Sequence, residues 1–217
     1  MKLAIYGAGG LGREVYEIAM RRNAASKLWN DILFIDDFSE EGDYFGTQRV
    51  HFESLLSCKE SYECIVAVGE PKSREVLYKK LVDHGMRLTK LVDTTAIISP
   101  TCKIDLGVIV CEFSTIHTYV EIGCNALIQP FCDIGHDIKV GSHSVLSPFC
   151  APGGGTIFGD RVFVGMKSAL MEGLVIGDDA IIAMGSVVFR DVPPLATVVG
   201  NPARITRGND DHKVFKG

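Results

Sequence analysis

From Ile98 onward, every sixth residue is drawn from one narrow set. Of the sixteen positions at this spacing between Ile98 and Val188, fourteen are aliphatic, and Pro152 and Phe158 fill the other two. A second track, four residues after each of these, runs from Cys102 to Val192 and is nearly all small. An amphipathic helix repeats its apolar positions at about 3.6 residues and a half-buried strand at 2, so neither accounts for a strict six. Hexapeptide repeats belong to parallel β-helices, whose coils bury their inner face only by stacking on neighbouring coils. Three hexads close one turn of the left-handed form. The pattern therefore predicts a narrow three-sided prism of a little over five coils, with large residues beside small ones in its core.

The first 97 residues follow another pattern. An apolar strand over Leu3–Tyr6 leads through Gly7-Ala8-Gly9-Gly10-Leu11-Gly12 into a helix from Arg13 to about Arg22. Ile32–Ile35 reads as a second strand, closed by Asp36-Asp37, and Tyr62–Val68 as a third. Pro71 opens a helix that runs to His84 with Gly85 as its stop signal, and Arg87–Val92 reads as a fourth strand. Strands alternating with helices predict a small parallel α/β domain. The expected organisation is an α/β Rossmann-like domain over 1–97, a left-handed β-helix over 98–207 and a flexible polar tail over 208–217.

Composition narrows the function. The chain has 217 residues, 47% of them hydrophobic, enough to bury a substantial core. A net charge of -5 offers no broad basic surface, which argues against nucleic acid as a partner. No stretch is long and apolar enough to read as a membrane span, and the opening MKLAIYGAGG lacks the layout of a signal peptide, so the expected location is cytoplasmic. Seven cysteines occur without a CxxC pair. Cys102, Cys132 and Cys150 fall on the small inward track, where a thiol packs as a compact hydrophobe.

Two motifs carry chemistry. Gly7, Gly9 and Gly12 match GxGxxG between a strand and a helix, where glycines admit a phosphate and the helix N-terminus offers it N–H groups. Carboxylates at Asp36 and Asp37 stand where ribose hydroxyls or a base edge can be held. A dinucleotide site needs two such halves and only one fits before Ile98, which favours a single nucleotide or nucleotide sugar over NAD. Within the coils, His136 lies two residues past the inward Ile134 and should project outward, beside Asp137. A neutral imidazole there is suited to taking a proton near pH 7.

Taken together, YGAGGLGREV, FIDDF, the hexapeptide coils with Ile134-Gly135-His136-Asp137, and a closing VVGNPAR resemble the PglD/NeuD-type sugar acetyltransferases. These comprise nucleotide-4-amino-sugar N-acetyltransferases and sialic acid O-acetyltransferases. The resemblance implies acetyl-CoA as co-substrate without a metal, His136 as general base and Asp137 as its modulator. It implies a nucleotide sugar held by Gly10, Leu11, Gly12, Asp36 and Asp37, and coenzyme A contacts at Gly154, Met166 and Met184. Gly154 would supply the N–H that polarises the thioester carbonyl. Gln129, where the family often has asparagine, and His143, two residues before the place of a second histidine that is Val145 here, are candidate substrate contacts. A homotrimer with sites between subunits is the implied assembly.

Two other readings compete. A zinc enzyme would draw on His117, His136 and His143, whose separations fit no single coil edge. A nucleotide-binding β-helix without turnover would be expected to repeat one outward residue, but the columns Asn125, His143, Arg161 and Thr118, His136, Gly154 are mixed.

Overall fold

A computed structural model describes residues 1–215. The N-terminal domain comprises β1 (Lys2–Tyr6), α1 (Gly10–Ser26), β2 (Ile32–Ile35), β3 (Gly42–Tyr44), β4 (Thr47–Val50), α2 (Phe52–Leu55), β5 (Tyr62–Val66), α3 (Pro71–Asp83) and β6 (Arg87–Leu88). Its sheet runs in the order β3-β4-β2-β1-β5-β6, parallel except where β3 meets β4. Helix α1 begins at Gly10, within the glycine turn, three residues earlier than expected. The β3–β4 hairpin was not expected from the sequence. Its turn, Phe45-Gly46, has positive φ at both residues, the primed geometry that lets flanking strands keep their twist.

The expected strand over Arg87–Val92 is two strands serving two sheets. Arg87–Leu88 adds to the N-terminal sheet, whereas Leu91–Val92 pairs with Ile109–Val110 and is the first rung of the prism. From there, strands pair in parallel with those 18 residues on, as in Ile109↔Leu127, Thr115↔Asp133 and Glu121↔Lys139. Three faces result. The first ends in the longer strands Ala196–Gly200 and Ala203–Gly208. The second is interrupted between Asp133–Ile134 and Ala151–Pro152, where the proline has no N–H to give the ladder. The third holds five strands from Lys103–Ile104 to Val175–Ile176.

Both inward tracks line the core. Ile116, Ile128, Ile134 and Leu146 are at most 1% exposed beside buried Ser114, Ala126, Cys132 and Ser144. Each large aliphatic contributes roughly 1.5–3 kcal/mol by leaving water. The chain turns each corner through one left-handed residue, and every sixth residue from Gly107 to Gly185 has positive φ. Most are not glycine, and Phe113, Phe131 and Phe149 among them stack with ring centroids 5.1 and 4.9 Å apart.

The two domains share a core. Outward residues of the first face, Leu91, Ile109, Leu127 and Val145, are buried against Val15, Ile18 and Ala19 of α1. Helix α3 packs on one corner of the prism, the column Asn125, His143, Arg161, Asp179. Here Arg74 is fully buried and gives its donors to carbonyls and an amide: Nε and Nη2 to Asn125 O (2.9 and 2.7 Å), Nη2 also to Asn125 Oδ1 (3.0 Å), and Nη1 to the carbonyls of Val66 and Val68 (3.0 Å each). Burial pulls its pKa below the usual guanidinium range, though the group stays charged at neutral pH. Next to it, burial works upward on Glu75, but Lys72, Lys79 and Arg161 outweigh it and hold the carboxyl down at about 2.

His143 belongs to this seam. It is 6% exposed, its Nδ1 accepts from Asn125 Nδ2 at 3.0 Å, and its ring meets Tyr78 edge-on at 5.3 Å. Burial pushes its pKa from 6.5 down to about 4; Glu75 and Asp160 pull it up, and Arg74 and Arg161 push it down. A histidine kept neutral by the fold takes up its proton more readily when unfolded. His143 therefore supports the fold fully above about pH 6.5, and this contribution is lost as pH falls toward 4. Thermal midpoints followed from pH 7 to 4.5 should fall less for His143→Gln than for the wild type.

The tail also differs from expectation. Asn209 is 5% exposed and its Nδ2 donates to the Asp179 carbonyl at 2.9 Å, while Glu70 accepts the N–H groups of Val214 and Phe215. Residues 209–215 are thus docked across the domain junction. Residues 216 and 217 lie outside the described part.

Candidate active site

The glycine turn is built for close approach. A Cβ on Gly12 would stand 2.0 Å from the Gly7 carbonyl oxygen, so α1 reaches its place against β1 only with glycine there. Gly9 and Gly10 face open space, and α1 has no side-chain cap and no acidic residue in its first turn. The free N–H groups at Gly10, Leu11 and Gly12 are thus presented to an anion. Of the two carboxylates, Asp36 binds its own loop, through Phe38 N–H at 2.9 Å and Ser39 Oγ at 3.0 Å. Asp37 accepts from the Tyr6 hydroxyl, from Lys80 Nζ at 2.8 Å and from Phe52 N–H at 2.8 Å. Burial works upward on Asp37, and these three donors together hold its pKa below the usual carboxylate value.

Between the glycine turn and the first face runs a groove of about 1040 Å³. Gly10, Leu11, Gln129, Val145, Met166 and Met184 are among its walls, joining residues from both halves of the chain. Met166 and Met184 are 44% and 74% exposed, an unusual degree for methionine.

His136 stands elsewhere, at the corner between the second and third faces. Its Nδ1 lies 2.7 Å from Asp137 Oδ2, and both side chains are well exposed. A carboxylate can only accept, so Nδ1 carries a proton, and in the neutral ring Nε2 then offers a lone pair. The ring lies over Gly154: a Cβ there would meet His136 Nε2 and Cε1 at 2.7 Å. Gly135 is equally constrained, since its Cβ would approach the Gly154 nitrogen to 2.8 Å. Asp137 occupies one of the left-handed corner positions, with φ of 57°, which fixes the carboxylate beside the ring.

Apart from Gly12, Asp36 and Asp37, which do not line the groove, the residues singled out from sequence fall into three groups. Gly10, Leu11, Gln129, Met166 and Met184 share the groove. His136, Asp137 and Gly154 share a corner one prism face away. His143 is in neither, being buried in the seam, so it is not available for the substrate contact expected of it. Nor do His117, His136 and His143 converge: His117 Nε2 pairs with Asp133 Oδ1 at 2.9 Å. No group of three or more metal-ligating side chains occurs among the described residues. Sequence reasoning missed Arg74, Glu75 and Glu70, which hold the domains and the tail around the groove. Their only signal is the helix period that places Arg74 and Tyr78 on one face of α3.

Comparison with known proteins follows the same division. Residues 2–81 match the PglD N-terminal domain, and residues 119–151 match the bacterial transferase hexapeptide family. PerB from Caulobacter crescentus, solved with CoA and GDP-perosamine, is 28% identical, with a TM-score of 0.85 over 95% of this chain and 98% of its own. The acetyltransferase domain of PglB from Neisseria gonorrhoeae, solved with acetyl coenzyme A, is 26% identical, with a TM-score of 0.88 over 94% and 98%. WeeI from Acinetobacter baumannii is 26% identical, with a TM-score of 0.88 over 95% and 100%. Agreement of this quality over both domains and the junction between them is more than a shared coil motif gives. The chain thus joins a PglD N-terminal domain to hexapeptide-repeat coils and is similar over nearly its whole length to sugar N-acetyltransferases.

Proposed function

We propose that the protein transfers the acetyl group of acetyl-CoA to the 4-amino group of a nucleotide-linked deoxy-amino-sugar, with His136 as general base. The carrying observation is the His136–Asp137 pair, exposed on a prism corner with Nε2 unpaired above a glycine. An ammonium must lose a proton before its nitrogen attacks a thioester, and a neutral imidazole with a bare nitrogen accepts it. The Asp137 carboxylate keeps the ring in the useful tautomer and stabilises the imidazolium that forms. The Gly154 N–H is the donor assigned to the developing oxyanion. Perosamine, named with the Caulobacter enzyme, supplies the model acceptor.

The groove fits a long, partly apolar co-substrate: it is deep, methionine-lined, and opens at the glycine turn where phosphates would be held. Coenzyme A would lie along Met166 and Met184, with the nucleotide at Gly10, Leu11 and Gly12 and its ribose or base near Asp36 and Asp37. Because one face of the prism separates groove from base, a second copy must bring its corner to the groove. The stacked Phe113, Phe131 and Phe149, 46–56% exposed at the corner bordering the groove, provide apolar area for that association. We place the enzyme in the cytoplasm as a homotrimer with its sites between subunits.

Coenzyme A release, measured with GDP-, UDP- and dTDP-linked 4-amino sugars and with sialic acid, tests this reading. Turnover with a nucleotide-linked amine supports it, and turnover with sialic acid alone replaces it with O-acetylation. No release with any acceptor overturns it in favour of a non-catalytic nucleotide binder. A subtler expectation concerns Gly154→Ala, whose methyl would displace the His136 ring. The loss should be about 10- to 100-fold in kcat at an unchanged melting temperature, read by steady-state kinetics beside calorimetry.

A further inference from the structure

We infer that the docked tail is part of the acceptor site, and that the Phe215 ring is a wall on which the sugar of the nucleotide-linked acceptor rests. This deepens the reading above and depends on it.

After the strand Ala203–Gly208, the chain is held by hydrogen bonds of the Asn209 side chain and of Glu70. The Asn209 side chain donates to the Asp179 carbonyl at 2.9 Å and accepts from Lys213 N–H at 3.0 Å. His212 Nδ1 lies 2.9 Å from Asp179 Oδ1. The carboxylate of Glu70 then accepts two successive N–H groups, of Val214 at 3.1 Å and Phe215 at 3.0 Å. Glu70 immediately precedes α3, where its side chain could cap its own helix, yet it makes no such bond and reaches for the tail instead.

These anchors aim one ring. Phe215 meets Phe163 of the first face edge-on at 5.4 Å. Gly69 lies between Phe215 and Leu11, where a Cβ would make ordinary contacts with Phe215 Cε2 at 3.8 Å and Leu11 Cδ2 at 3.9 Å, and all three residues line the groove. Leu11 belongs to the first turn of α1, where the phosphates are expected. A sugar carried on those phosphates and directed into the groove meets Phe215 as its first apolar wall. Phe215 is still 54% exposed, so its anchoring serves the groove more than the core. The apolar C–H face of a deoxyhexose is chemically matched to an aromatic ring presented in this way.

The test is steady-state kinetics on Phe215→Ala, Phe215→Tyr and Glu70→Gln, with binding of the free nucleoside diphosphate measured separately by calorimetry. For Phe215→Ala, the KM for the nucleotide-linked amino sugar should rise about 10-fold, equivalent to about 1.4 kcal/mol. The KM for acetyl-CoA and the Kd of the free diphosphate should stay within about twofold of wild type. Phe215→Tyr should restore the acceptor KM, and Glu70→Gln, which loosens the anchor, should raise it in the same direction by less. An acceptor KM unchanged in Phe215→Ala, or one that rises equally with that for acetyl-CoA, overturns the inference while leaving the acetyltransferase reading intact. Absence of wild-type turnover with every nucleotide-linked amino sugar overturns both.

Discussion

Replacing His136 by alanine is expected to lower kcat by roughly 10²- to 10⁴-fold, the range measured for a positioned general base. The folded protein should be unaffected, because the side chain is exposed and the ring packs only over the bare Gly154. Binding should be nearly unchanged too, since what the substitution removes is proton transfer in the transition state and not a contact that holds either substrate. Steady-state kinetics with acetyl-CoA and a nucleotide-linked 4-amino sugar separates these effects: kcat falls while both KM values stay near wild type. His136→Asn, which keeps a polar group but no basic nitrogen, should be nearly as impaired. A His136→Ala enzyme with wild-type kcat would remove the proposed base.

Replacing Arg74 by leucine is expected to destabilise the protein by about 3–5 kcal/mol, the scale of several buried acceptors left without donors. Leucine fills part of the space but donates nothing to the carbonyls of Val66, Val68 and Asn125, and water has no route to a residue with no exposed surface. For a chain of this size, such a loss lowers the melting temperature by about 10 °C. Lysine should fall between, since three donors on one nitrogen cannot span acceptors contributed by both domains. Differential scanning calorimetry gives the answer, and an Arg74→Leu midpoint within about 2 °C of wild type would show that these carbonyls find other partners. Because the same guanidinium ties β5 to the prism, the variant should also bind nucleotide less well.

The prism was legible from sequence because its determinant is strictly periodic: a coil that buries one large and one small residue per side leaves both in the chain at a spacing of six. The corner histidine was legible for the same reason, since its distance from Ile134 fixes its direction. What periodicity cannot convey is how the two domains meet. The outward first-face positions Ile109, Leu127 and Val145 are apolar, whereas their third-face counterparts Lys103, Glu121 and Lys139 are charged, and that contrast alone marks the covered face. His143 read as a possible ligand because its surroundings come from α3, far away in sequence. The tail read as free because its partners, Glu70, Phe163 and Asp179, lie far away in sequence. The hairpin at 42–50 was missed because its turn uses phenylalanine in a left-handed conformation that favours glycine or asparagine.

The eighteen-residue register also restricts how such a protein can change in length. An insertion of six residues within the coils would keep large and small residues inside, yet it would rotate everything downstream by a third of a turn. Arg161 and Asp179 would swing away from α3, and Met166 would leave the groove. Viable descendants must therefore grow or shrink by whole turns, so that homologues differing by one or two complete coils can keep an intact interface while smaller gaps are confined to the corners.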